Sequence, residues 1–216
     1  MHWVGRGAEP AGLASVRTQY TPRWIAFYRR NQGRKPTDSR WLDFKGDIRQ
    51  VFLGLCGYCE IRDPASEVDH FKPKSVFPEL VYEWPNWVYA CRFCNKSKGN
   101  KWSHRGYIDP CAGSANARPE NIFEFDTLTG EYLVKMGLGS VRRQKAENMI
   151  DDLKLNDRDQ LERRLTWLKL VKVSIPDVVN PGEEVPDSLK WLVDRGTELS
   201  SLCRALFLQR GYSIPS

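Results

Sequence analysis

The 216-residue chain is 41% apolar and 28% charged, a balance that supports a folded core and excludes a disordered polymer. Its formal charge of +6 favours an anionic partner such as nucleic acid, and no apolar run approaches the roughly 20 residues of a membrane span. The first twenty residues carry no apolar segment of the secretory type, so the expected compartment is cytoplasmic, where six cysteines point to metal or redox chemistry and not to a disulfide framework.

Residues 1–20 have no clear period and read as loose. Thr21-Pro22 has the form of a helix start, with Thr as N-cap and Pro in the first turn. A short helix through Trp24, Phe27 and Tyr28 follows, and Gly33 to Pro36 ends it. Trp41, Phe44, Ile48, Val51, Phe52 and Leu55 then recur every three or four residues, the apolar face of an amphipathic helix. Asp38 or Ser39 would cap that helix, and Gly54 or Gly57 would end it. Residues 56–110 read as short strands, turns and loops, with a brief helix after Cys94. Residues 121–135 alternate around a Thr-Gly turn and predict a β-hairpin.

Ser140 is the expected N-cap of a helix carrying Ala146, Met149, Ile150 and Leu153. Asp157 would cap another with Leu161, Leu165, Leu168 and Val171. The three prolines of 174–187 predict a linker, and a last helical stretch runs from about Ser188 to Gln209 with a break near Gly196.

Four cysteines form two pairs of two-residue spacing, Cys56-Gly-Tyr-Cys59 and Cys91-Arg-Phe-Cys94. Such spacing lets both thiolates of a pair face one ion, and two pairs complete a tetrahedral structural zinc site. Four protein thiolates leave no open position, so this zinc would not be catalytic. The competing readings are buried core cysteines and a redox pair, but the redox pair needs a βαβ context that the pattern lacks. Cys111 and Cys203 read as buried apolar residues. The 31 residues between the pairs leave room for an inserted element.

That insert holds Glu67-Val68-Asp69-His70; Asn86 precedes the second pair, and Asn95 and Lys98 follow it. From Cys91 to Gly106 there are five basic residues (Arg92, Lys96, Lys98, Lys101 and Arg105) and no acid, while Lys72 and Lys74 follow His70. These seven cations are the expected phosphate contacts. The aromatics among them, Trp84, Trp87, Tyr89 and Trp102, read first as packing and second as base-stacking surfaces. His104 reads as a surface residue.

The order C-x-x-C, D-H, N, C-x-x-C-N-x-x-K resembles the HNH, or ββα-metal, nuclease family. The resemblance implies an α+β fold: a ββα-metal core with a four-cysteine zinc site, flanked by α-helices and a small hairpin. It makes His70 the general base, Asp69 and Asn95 the ligands of a catalytic Mg²⁺ or Mn²⁺, and Asn86 the residue that ties the loop to the strand. Asn95 stands where a His gives the family its last letter, and an amide oxygen is a hard ligand that leans against a catalytic zinc.

Longer stretches narrow the likeness. GYCE at 57–60, EVDHFKPKS at 67–75, YEWPNWVYACRFCNKSKGN at 82–100 and YIDP at 107–110 resemble the Septu-type and retron-associated branch of the family. That branch implies an antiviral role and an ATPase partner resembling PtuA. The corresponding division is an extension at 1–37, a nuclease domain at 38–135 and a helical region at 136–216. The expected activity is a metal-dependent endonuclease cutting nucleic acid, DNA before RNA. The alternative is a non-catalytic zinc-finger module that binds nucleic acid; it leaves the register of Asp69, His70, Asn86 and Asn95 unexplained.

Overall fold

The N-terminal segment is more ordered than its composition predicts. The computed structural model describes residues 1–176 and 180–214. Helix α1 spans Leu13–Arg30 with Pro22 inside it, so the helix does not begin at Thr21-Pro22 as its capping pattern predicts. An interior proline removes one backbone hydrogen bond and costs about 3 kcal/mol. Tertiary packing offsets that cost. Leu13 and Trp24 are buried, Trp24 packs at 5.6 Å on Trp41, and α1 lies across the 3₁₀ turn Pro78–Leu80.

The apolar face read at 41–55 is real, since Trp41, Phe44, Ile48, Phe52 and Leu55 are all buried. Its backbone is not a single helix. Arg40–Phe44 is a 3₁₀ turn and α2 covers only Lys45–Val51. Leu53 and Gly54 then take positive φ, 53° and 72°, which turns the chain into the first cysteine pair.

Strands β1 (Glu67–His70) and β2 (Trp87–Ala90) pair antiparallel with Asp69 opposite Val88 and His70 opposite Trp87. Every residue of β2 is buried, because α2 packs on the small sheet. Helix α3, Arg92–Lys98, leaves the second cysteine pair directly, with Cys91 as its N-cap. Strands β1 and β2 with α3 make the ββα unit. A second two-stranded sheet, β3 (Phe123–Phe125) with β4 (Tyr132–Val134), is the predicted hairpin.

Helices α4 (Ser140–Asp152) and α5 (Arg158–Ser174) lie where their patterns predict, although Gly139 and not Ser140 is the N-cap of α4. The linker expected at 174–187 falls partly on 177–179, outside the described residues. The last stretch divides into a 3₁₀ segment, Asp187–Val193, and α6, Ser200–Gln209. One apolar core links α1, the ββα unit, the hairpin and the C-terminal helices. Two buried polar residues lock these parts together. Glu60 accepts from the Ser201 N–H (2.9 Å) and its hydroxyl, at the start of α6. Arg164 on α5, fully buried, donates to the carbonyls of Gly130 and Leu155 and lies over the Tyr132 ring. The mixed helix and small-sheet class matches the α+β expectation.

Candidate active site and metal centre

The first cysteine pair sits in a turn whose Gly57 N–H donates to Tyr89 O (2.8 Å) and whose Glu60 N–H donates to Cys56 O (2.9 Å). Gly57 has no room for a side chain: a Cβ there would stand 2.4 Å from the Phe52 ring and 2.8 Å from Val88. The second pair is shaped by α3, where the Cys94 N–H donates to Cys91 Sγ at 3.4 Å. The four sulfurs, all buried, lie within 4.8 Å of one another, and Cys59 and Cys91 are 3.7 Å apart. Two sulfurs of a tetrahedral zinc site with Zn–S bonds of about 2.3 Å stand about 3.8 Å apart. Without a cation such thiols cannot all ionise. Neighbouring thiols, Cys56 first, hold Cys59 and Cys94 well above the ordinary thiol pKa, while hydrogen bonds from Cys56, Cys59 and Cys94 hold Cys91 below it. A divalent metal removes that conflict, so the four-cysteine cluster fits a zinc site. Cys111 and Cys203 stand apart from it, each pushed up to about 12, chiefly by burial.

Beside this centre, β1 and α3 form the walls of a cavity of 390 Å³. Glu67, Asp69, His70, Lys74 and Asn95 line it, with Trp41 on one side. His70 is buried, and its Nε2 lies 2.9 Å from Val81 O. A carbonyl only accepts, so Nε2 carries the proton and Nδ1 is left as the basic nitrogen. Nδ1 makes no hydrogen bond among the described residues. The Trp41 ring stands edge-on to the imidazole at 4.8 Å. Burial first, then Lys74 and Lys98, lower the His70 pKa well below its usual value, against the opposing effect of the hydrogen bond donated to Val81 O. The ring is therefore neutral near pH 7, as a proton acceptor must be.

Asp69, 4% exposed, is held by two donor groups through three contacts. The Lys98 ammonium lies 2.9 Å from each carboxylate oxygen, and the Tyr58 hydroxyl donates to Oδ2 at 2.6 Å. A carboxylate offers about four lone pairs, so Oδ1 keeps one for a further ligand. Asn95 Nδ2 donates to Glu67 Oε2 at 2.5 Å, which turns the amide oxygen of Asn95 away and leaves it free to accept. Hard oxygen donors from Asp69, Asn95 and the exposed carboxylate of Glu67 suit a divalent cation such as Mg²⁺, provided it shares Asp69 with Lys98.

The remaining expected residues divide clearly. Asn86 does not line the cavity. Its Oδ1 accepts the Lys72 N–H (2.8 Å), and its Nδ2 donates to Lys72 O and Leu80 O (3.0 Å each). It therefore clamps the loop between β1 and β2 and is a positioning residue, not a group at the reacting atoms. Lys98 departs from the expectation of a phosphate contact. It is fully buried, and it also donates to His70 O at 2.7 Å, so its charge serves Asp69. Of the other six expected phosphate contacts, only Lys74 lines the cavity. Lys72 lies over Phe77, Lys101 bonds to Asp152 O at the end of α4, and Arg105 is exposed in a left-handed turn. Arg92 and Lys96 line a different groove. Trp84, Trp87 and Tyr89 are core, and Trp102 packs against Phe71, Phe77 and Tyr107.

Two site residues escaped the sequence reading. Glu67 was legible, because residues two apart on a strand share a face and Glu67 precedes Asp69 by two. Tyr58 was not: nothing in its spacing says that its hydroxyl reaches Asp69 across the sheet.

The comparisons agree with this geometry. Residues 56–101 match the family described as HNH endonuclease, a span that runs from the first cysteine pair through both strands to just past α3. Over 113 residues the chain is 34% identical to the Septu protein PtuB of Bacillus thuringiensis. That stretch is 49% of this chain, and the chain spans 38% of the length of that relative.

Proposed function

We propose that this protein is a metal-dependent HNH endonuclease that hydrolyses nucleic-acid phosphodiester bonds, with DNA the favoured substrate. The observation that carries the reading is the single cavity lined by His70, Asp69 and Asn95, with a neutral imidazole whose Nδ1 is free to take a proton. Water gives a proton to Nδ1 of His70, and the resulting hydroxide adds to phosphorus. The P–O3′ bond breaks, leaving a 5′-phosphate, and the departing O3′ takes a proton from solvent. Val81 O holds the imidazole in the required tautomer and, by accepting from Nε2–H, stabilises the positive charge that forms on the ring. A divalent ion held by Asp69 and Asn95 would neutralise charge on the phosphate. The Lys74 ammonium adds a fixed positive charge at the same cavity. The nuclease domain is taken as residues 38–135, carrying structural zinc on its four cysteines.

The likeness to a Septu protein supports a defence role, and the same proposal extends to an ATPase partner resembling PtuA and a cytoplasmic site of action. The second reading, a non-catalytic zinc-finger module, draws on one observation: Lys98 already neutralises Asp69. One assay separates them. Wild type and His70→Ala are incubated with plasmid DNA, single-stranded DNA and total RNA in Mg²⁺, Mn²⁺ or chelator, with and without the candidate ATPase. Loss of the general base should slow cutting by about 10²–10⁴-fold. Cutting by both proteins alike would remove His70 from the mechanism. Binding without cutting by either would favour the zinc-finger module.

A further inference from the structure

Helix α3 has two working sides. Asn95 lines the catalytic cavity, while Arg92, Phe93 and Lys96 face a second groove of 580 Å³. Its opposite wall comes from Arg62, just past the first cysteine pair, and from Arg163 on α5. The groove thus gathers four exposed cations around a half-buried phenyl ring.

The groove cations lack the carboxylate partners that some other exposed cations have, such as Arg158 with Glu162, Arg40 with Asp43 and Lys190 with Asp187. Among the described residues, Arg92, Lys96 and Arg163 make no side-chain ion pair or hydrogen bond. The Arg62 guanidinium contacts only carbonyls, Leu53 O at 3.3 Å and Gly196 O at 3.1 Å. The single acid in the groove, Asp63, is taken up by backbone: Oδ1 accepts the Ala65 N–H and Oδ2 the Arg92 N–H, each at 2.9 Å. Unpaired like charges held together repel, and a polyanion relieves that repulsion.

We propose that this groove binds the phosphate backbone of the nucleic acid whose scissile bond lies in the cavity. The proposal rests on the nuclease reading and adds a contact from the C-terminal helical region. Arg92 and Lys96 are one helical turn apart, and the two sides of α3 are separated by a helix diameter of about 10–12 Å with side chains. That length is roughly three nucleotides of rise along one strand. A strand crossing α3 can therefore reach the cavity and the groove together. The competing role for these cations is to balance the thiolates of the metal centre, since Cys91 also borders the groove.

The test is the triple variant Arg92→Gln, Lys96→Gln, Arg163→Gln in the full chain. Binding to labelled duplex DNA, single-stranded DNA and RNA is followed by anisotropy from 50 to 200 mM salt, with His70→Ala present in both proteins to prevent cutting. Three lost phosphate contacts should weaken binding at least 10-fold at low salt. They should also lower the slope of log K against log salt by about 2 to 3, equally for unrelated sequences. An unchanged slope and affinity overturns the groove. A fall in bound zinc or in Tm assigns the cations to the metal centre and also overturns it. If the parent protein binds no nucleic acid at low salt, both the groove and the nuclease reading fail. If the slope falls as expected but protein with native His70 never cuts, only the nuclease reading fails.

Discussion

His70 and Asp69 are each held at the cavity by specific neighbours. His70 takes its tautomer from Val81 O and its neutrality from burial beside Lys74 and Lys98. Asp69 stays in place because Lys98 and Tyr58 hold it from the protein side. Tyr58 ties the two centres together, since it lies between the cysteines of the first pair and donates to the carboxylate proposed to hold the catalytic ion. Tyr58→Phe keeps the ring and removes only that hydrogen bond. Groups that orient a ligand in this way typically contribute 10–100-fold to metal affinity or activity. The expected outcome is about a 10-fold higher Mg²⁺ concentration for half-maximal cutting, with zinc content and Tm unchanged. A variant with wild-type metal dependence would show that Asp69 needs no help from Tyr58. The grouping of Asp69, His70 and Asn95 around one cavity was legible at this scale, because residue type and order carry it. The burial of Lys98 was not, since a lysine in a basic run looks the same in sequence whether it is solvated or paired beneath a strand.

The same distinction holds for the secondary-structure elements. The hairpin and α4 follow their local patterns because each has an apolar face to bury, while α5 keeps its expected place although it buries Gln160 and Arg164 beside Leu168 and Val171. Helix α1 does not, because its interior Pro22 reads as a start and only the packing of Trp24 on Trp41 keeps the helix continuous. The segment at 40–55 keeps its apolar face but breaks its backbone, because the chain must reverse to deliver Cys56 and Cys59. Gly57 is the tightest point of that delivery. Gly57→Ala drives a methyl into Phe52 and Val88, and overpacking of this kind costs about 1–3 kcal/mol. For a chain of this size each kcal/mol lowers Tm by about 2–4 °C. The variant should therefore melt roughly 2–12 °C lower, read by calorimetry. An equal Tm would mean that the turn has slack that its geometry denies.

At the scale of the whole molecule, the four-cysteine cluster joins parts of the chain that are far apart in sequence. The first pair carries Glu60, which seats α6, and the second pair starts α3, which bears Asn95 and Lys98. Loss of one thiolate should therefore unsettle both the cavity and the C-terminal docking. Metal binding at such a centre contributes directly to folding. Cys94→Ser is expected to lower bound zinc below one ion per chain. A loss of about 3 kcal/mol would bring Tm down by roughly 6–12 °C at this size. Metal analysis and melting curves check both, and full zinc content with an unchanged Tm would remove the cluster as a structural metal site.

The sequence by itself determined which reactive groups are brought close: four thiols in two tight pairs, an Asp-His step, and amides placed before and after the second pair. Those features are local, because spacing of a few residues decides which groups can share one turn, strand or helix start. Only the tertiary structure decided which cations reach the cavity, that Lys98 lies beneath Asp69, that Tyr58 bridges the two centres, and that Arg163 from α5 faces the same groove as Arg92 and Lys96. Those relations depend on contacts between residues eleven or more positions apart. The burial of Lys98 and its pairing with Asp69 arise only when distant segments pack, and no period in the sequence records them.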